Sequence, residues 1–267
     1  MYKLTVISII FFIYNSPIYT QTSMSSYDPI VAHRGAWKAL DLPENSIASL
    51  RHAIDLGCAG SEFDVWMTSD SILVVNHDAT YHNMKIENTP YKTLSKFTLS
   101  NGEKLPTLEE YLQEGSKNNT YTRLVVEIKP SEVNKERGKL IARRVFDLVQ
   151  ALNKQNIVDY ISFDIGILTT LLELNPNINT QYLNGELSPS ELEDMGINGL
   201  DYHFMVYRKN PHWITEAKNL NMVLNVWTVN DKATLDYFLD QQFDSITTNE
   251  PELAKELLLK HSARKEK

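Results

Sequence analysis

Eight times between residues 29 and 259 a short apolar run gives way to a stretch with helical periodicity, and no other feature restricts the fold so strongly. The runs at 29–32, 61–67, 124–128, 160–163, 180–182, 199–202, 222–227 and 245–247 read as strands. Helices are expected at 46–56, 107–114, 136–152, 165–174, 189–195, 213–220, 231–239 and 251–259. Their ends carry the usual signals. Thr107 with Glu110 three residues on is a capping box, Gly57 stops the first helix, and Pro251 opens the last. Strand-helix alternation predicts a parallel sheet, and eight units in roughly 230 residues match a closed barrel of about 250 residues better than an open sheet. The expected fold is therefore α/β, a single (β/α)8 TIM-type barrel. A further apolar run at 72–76 follows the second strand, and residues 79–104, polar and without a clear period, read as an excursion from the core. Residues 260–267 read as a frayed tail.

The N-terminus stands apart. Lys3 precedes an apolar run over 4–14, too short to span a bilayer that needs about 20 helical residues. It reads as a signal peptide, residues 1–24, cleaved between Ser16 and Met24. The mature domain, 25–267, is then secreted or periplasmic without a stable membrane anchor. An uncleaved anchor is the alternative, because residues 18–21 lack the small-residue pair of a cleavage site. A net charge of -8 argues against a protein that grips nucleic acid by overall charge, so any affinity for phosphate must be local. The sole cysteine, Cys58, can form no internal disulfide. The sequence leaves oligomeric state open.

Chemistry-bearing residues gather at the strand ends. Side chains on a strand alternate between faces, so Glu62 and Asp64 project together, as do Glu127 and Lys129. Paired carboxylates repel unless a cation lies between them, and hard oxygen ligands suit magnesium, calcium or manganese rather than zinc. Glu127 interrupts an apolar strand, which is costly unless it is paired or metal-bound. His33 and His77 each follow an apolar run and could serve as base and acid on either side of a phosphorus atom. Arg34 offers a planar fork for phosphate oxygens.

His33-Arg34-Gly35, Pro43-Glu44-Asn45-Ser46, Glu62-Phe63-Asp64 and His77-Asp78, in this order and spacing, resemble the glycerophosphodiester phosphodiesterase family. The resemblance continues through Leu105-Pro106-Thr107-Leu108-Glu109-Glu110, Val126-Glu127-Ile128-Lys129-Pro130, Val226-Trp227-Thr228-Val229-Asn230 and the run from Asp244 to Pro251. It implies a barrel with a small insertion, about 79–104, after the second strand. It also implies metal-dependent hydrolysis of glycerophosphodiesters to glycerol 3-phosphate and an alcohol, through a cyclic phosphate. One divalent cation, Ca2+ or Mg2+, would be held by Glu62, Asp64 and Glu127. His33 and His77 would exchange protons, in either assignment, while Arg34 and Lys129 bind phosphate. Trp227 would form an aromatic wall for the substrate alcohol, and Glu44 with Asn45 would border the site. Tyr81-His82-Asn83 departs from an Arg-Thr-Thr run common in relatives, so no substrate contact is assigned there. Two other readings are a related-barrel phospholipase, disfavoured by the lack of a strongly apolar loop, and a secreted phosphate-binding module without turnover.

Overall fold

A computed structural model describes residues 27–265, so the expected signal peptide lies outside the described residues. In chain order the elements begin with β1 (Ile30–Ala32), α1 (Ile47–Asp55), β2 (Gly60–Met67) and β3 (Leu73–Val75). A small excursion follows, made of β4 (Thr80–Tyr81), β5 (Met84–Lys85) and α2 (Tyr91–Leu94). The chain returns through α3 (Leu108–Gly115), β6 (Arg123–Ile128), α4 (Lys135–Ala151), β7 (Val158–Ser162), α5 (Ile165–Leu174) and β8 (Thr180–Tyr182). It continues with α6 (Pro189–Asp194), β9 (Gly199–His203), α7 (Phe204–Lys209) and α8 (His212–Asn219). The last elements are β10 (Val223–Trp227), α9 (Lys232–Asp240), β11 (Ser245–Thr248) and α10 (Pro251–Lys265).

Eight strands pair in parallel around a closed ring, β1-β2-β6-β7-β8-β9-β10-β11 and back to β1. β1 closes it by pairing Val31 with Gly60 on one side and with Thr247 on the other. β2 outruns β1, and its free end takes β3 as an antiparallel neighbour, Val65 opposite Val75.

The two faces of each strand divide the labour, as a two-residue period requires. Outward side chains such as Phe63, Val65, Leu124, Val126, Leu200, Leu224 and Ile246 are fully buried beneath the helices. Each contributes about 1.5–3 kcal/mol relative to an exposed side chain. Val31, Val125, Ile161 and Leu183 pack together inside the ring, where buried Asp159, Gln181, Asp201, Asn225 and Thr247 make the interior unusually polar.

Helix starts follow the expected caps. Ser46 accepts from the Ser49 N–H, Thr107 from Glu110 and Ser188 from Glu191, each with the reciprocal bond of a capping box. Three features differ from the sequence expectation. The excursion has a core of its own, formed by Trp66, Val74, Tyr81, Ile86, Leu94 and Leu105, and buried Glu87 ties it to α4 through Arg137 Nε at 2.8 Å. A short extra helix, α7, follows β9 and carries Tyr207 into the core. The last helix runs on to Lys265, so the stretch read as a frayed tail is helical through that residue. No helix among the described residues is long and apolar enough to cross a membrane.

Candidate active site

β1 ends where the backbone must turn sharply. Arg34 has φ 57° and Gly35 φ 80°, and a Cβ on Gly35 would meet Ser49 at 2.4–2.7 Å, so only glycine fits there. The turn wraps Glu62, whose Oε2 accepts the Arg34 N–H at 2.9 Å and whose carbonyl accepts the Gly35 N–H at 3.2 Å. His33 is anchored by its N–H to Thr248 O at 2.9 Å, and its ring Nδ1 lies 2.7 Å from Asn249 Oδ1. Burial, with help from the Arg34 charge, pushes the imidazole down to about 4, so it is neutral near pH 7. Nδ1–H then donates to Asn249, and Nε2, 3.9 Å from Glu62 Oε2, keeps its lone pair toward the site.

Glu62 and Asp64 project from β2, and Glu127, opposite Asp64 in the register, projects from β6. All three are buried, and they offer oxygens within 4.8 Å of one another. Asn45, at φ 57°, holds Asp64 from both ends, donating Nδ2–H to Oδ2 at 2.8 Å and accepting the Asp64 N–H at 3.1 Å. Lys129 Nζ stands 2.7 Å from Asp64 Oδ1 and 2.7 Å from Glu127 Oε1. One ammonium thus serves both of those oxygens, while Glu62 Oε1, also buried, has no hydrogen-bond partner among the described residues.

The charges do not balance. Burial raises Glu62 well above the usual carboxylate range, with Asp64 and Glu127 adding to it, and burial and Asp64 push Glu127 up to about 8. Asp64, although buried, is held low by Lys129. Burial alone would lower Lys129, but Asp64 and Glu127 raise it. Three buried carboxylates that share one ammonium, with Glu62 Oε1 left unpartnered, are a hard-donor set that fits a divalent cation such as calcium or magnesium.

His77 follows β3, where the Asn76 N–H donates to Asp64 O at 3.0 Å and Trp66 Nε1 donates to His77 O at 3.2 Å. Its Nδ1 lies 2.8 Å from Asp78 Oδ1, which leaves Nε2 free. Across the barrel, Trp227 donates Nε1–H to Asp201 O at 2.8 Å and meets Phe163 edge-on at 5.6 Å.

Of the residues expected from sequence, His33, Arg34, Glu62, His77, Glu127, Lys129 and Trp227 line one cavity of about 220 Å³. Asp64 lies wholly buried beside Glu127 and Lys129. Glu44 is not on the wall and reaches it only through Arg34, whose Nη1 lies 2.9 Å from Glu44 Oε2. Arg34 Nε, 3.7 Å from Asp64 Oδ2, is buried without a hydrogen-bond partner. Sequence reasoning missed Asn249, which sets the His33 ring, and Asp201 with Phe163 and Leu183 on the far wall. It named Asn45 as a border residue but not its grip on Asp64.

Known proteins share this arrangement of strands. A glycerophosphodiester phosphodiesterase from Parabacteroides distasonis is 41% identical, superposes with a TM-score of 0.85, and the match covers 88% of this chain and 98% of that one. A phosphodiesterase of Oleispira antarctica, solved with sn-glycerol-3-phosphate, shares the fold at a TM-score of 0.73 and 23% identity, over 85% of this chain and 95% of that one. In sequence, a glycerophosphodiester phosphodiesterase of Caldanaerobacter subterraneus subsp. tengcongensis is 27% identical, over 84% of this chain and 94% of its own length. The profile of the glycerophosphoryl diester phosphodiesterase family matches residues 33–253, which takes in every cavity residue named above, and the chain belongs to that family.

Proposed function

We propose that this protein hydrolyses glycerophosphodiesters to glycerol 3-phosphate and an alcohol, with a divalent cation and two histidines of unlike role. One observation carries the reading: both imidazoles, Arg34, Lys129 and the carboxylates Glu62 and Glu127 line a single cavity, with Asp64 buried against the last two.

Arg34 and Lys129, both on the cavity wall, would set positive charge beside a bound phosphate, where it is worth more in a buried site than in water. His33, neutral and fixed through Nδ1 by Asn249, accepts a proton at Nε2 from the attacking hydroxyl. His77, oriented through Nδ1 by Asp78, delivers a proton from Nε2 to the leaving alcohol. The assignment of base and acid rests on these second partners, an amide for one ring and a carboxylate for the other. Glu62, Asp64 and Glu127 would hold the cation, calcium or magnesium, which when bound neutralises charge that builds on phosphate oxygens. The attacking hydroxyl is read as the glycerol hydroxyl next to the ester, which gives a cyclic phosphate that water then opens. The apolar run over 4–14 supports a secreted or periplasmic setting.

The test is glycerophosphocholine as substrate. Release of glycerol 3-phosphate, stopped by chelation and restored by calcium or magnesium, is the expected result. Methylation of the hydroxyl next to the ester should abolish turnover. Undiminished hydrolysis of that blocked substrate would replace the cyclic route with direct attack by water, and no hydrolysis of either would remove the reading.

A further inference from the structure

Asp201 is the one buried acid of the cavity that the proposed chemistry leaves without a task. It sits in β9, 1% exposed, with Oδ1 shut away from solvent, and it lines the wall across from Lys129 and Arg34. Its main-chain oxygen is engaged by Trp227, but its carboxyl receives no hydrogen bond from any described residue. The three other buried aspartates are all supplied: Asp64 by Asn45 and Lys129, Asp159 by Arg123 and Asn179, Asp164 by the Gly166 N–H and Lys135. A buried polar group without a partner is costly, so a carboxyl of this kind at the lining of a cavity is a place where a ligand's polar group can supply the missing bond.

We propose that Asp201 recognises the terminal hydroxyl of a glycerol unit seated in the cavity, and so selects a three-carbon polyol. The inference rests on the hydrolase reading of the site. With phosphate at Arg34 and Lys129, the hydroxyl next to the ester is consumed in closing the cyclic phosphate. The remaining hydroxyl, one carbon further on, is the group free to meet an acid on the opposite wall. Burial, and next the nearby Glu127, push the Asp201 carboxyl well above its usual range. A neutral acid both donates to and accepts from a hydroxyl, whereas it gives a cationic head group no charge to pair with. Asp201 is thus a specificity residue that binds substrate without taking part in bond breaking.

Three phosphate monoesters separate the possibilities by calorimetry on the full chain, in calcium and separately in magnesium. sn-Glycerol 3-phosphate carries both hydroxyls, 2-hydroxyethyl phosphate lacks only the terminal one, and 2-aminoethyl phosphate replaces the hydroxyl with an ammonium. Wild-type protein is expected to bind glycerol 3-phosphate at least ~10-fold more tightly than 2-hydroxyethyl phosphate, since a site built around a hydroxyl rejects the analogue without it. Asp201→Asn, which keeps an acceptor and a donor, should preserve the preference, and Asp201→Leu should erase it while leaving 2-hydroxyethyl phosphate affinity within about threefold. Equal binding of the two hydroxyl ligands by wild-type protein overturns the proposal whether or not the leucine variant folds. So does a preference that survives in Asp201→Leu, an equal loss of both ligands in a folded variant, or tighter binding of 2-aminoethyl phosphate. Turnover of glycerophosphocholine, measured alongside, keeps the two readings apart: ligand preference without turnover removes the hydrolase alone, and turnover without preference removes the Asp201 role alone.

Discussion

Asp159, near the start of β7, and the group of Glu62 and Asp64, just beyond the last residues that β2 pairs with β1, with Glu127, near the end of β6, are buried in one barrel under very different terms. Asp159 meets the Arg123 guanidinium through Nε and Nη2, the latter 2.6 Å from Oδ1, and Asn179 adds a hydrogen bond of 2.8 Å. At the other end three carboxylates lie together with one ammonium, which reaches Asp64 and Glu127 but leaves Glu62 Oε1 without a hydrogen-bond partner among the described residues. Burying a charge is tolerable when its partners are built in, as they are for Asp159. Where they are withheld, the fold carries a deficit that only something from outside can fill. The shortage lies at the carboxyl ends of the strands, where barrels of this kind bind and react, and the complete set lies toward the amino ends.

The largest separation between the two ends should appear in turnover. His33→Ala or His77→Ala at the mouth is expected to lower kcat/KM for glycerophosphocholine by ~100-fold or more, the usual scale for a general acid or base. Steady-state kinetics that show both variants near the wild-type rate would discard the acid-base pair.

A smaller effect should appear in thermal unfolding. A cation bound only by the folded protein adds about 2.7 kcal/mol at 100 times its Kd. For a domain of this size that is a rise in Tm of roughly 5–10 °C. Glu127→Gln should remove the rise and Asp159→Asn should keep it, as calorimetric scans with calcium or magnesium would read. A rise that is intact in Glu127→Gln would place the cation elsewhere.

The smallest is a pH dependence confined to the mouth. In metal-free protein Glu62 and Glu127 hold protons that the unfolded chain releases at about pH 4.3. Their contribution to stability is complete below that unfolded value and is lost as pH rises through about 8, the folded value of Glu127. Asp64, held low by Lys129, works in the opposite sense, its contribution being lost only in acid. Chelated protein should therefore melt a few degrees lower near pH ~9 than near pH ~6, and a saturating cation should flatten the difference. A chelated protein that melts higher in alkali would mean that the two glutamates are already ionised.

Much of this was legible in the sequence because the barrel repeats itself. Eight apolar runs of the right length announced the ring, and the two-residue period put Glu62 with Asp64 and Glu127 with Lys129 on shared strand faces. What periodicity could not reach were partners set by closure of the ring. Asn249 stands 216 residues from the His33 ring it orients, and only the β1–β11 pairing brings them together. Asp201 in Gly199-Leu200-Asp201-Tyr202-His203 reads as a polar break in a weak strand, and nothing local tells that no donor will come to it. Glu44 was the reverse case: the motif that carries it is strong, yet its side chain lies off the cavity wall. The excursion after β3 lacked a period because its small core is assembled from short pieces, a two-residue hairpin and a single turn of helix.

The most direct test compares one conservative change at each end of the barrel, Glu62→Gln and Asp159→Asn, by glycerol 3-phosphate release from glycerophosphocholine at saturating cation. Glutamine mimics the protonated form of Glu62, so that variant should keep the Tm of metal-free protein while its turnover falls by ~100-fold or more. Asp159→Asn should do the reverse, melting lower because Arg123 loses its charged partner and turning over within about twofold of wild type. A Glu62→Gln protein that hydrolyses at the wild-type rate would contradict a catalytic role for the acidic mouth.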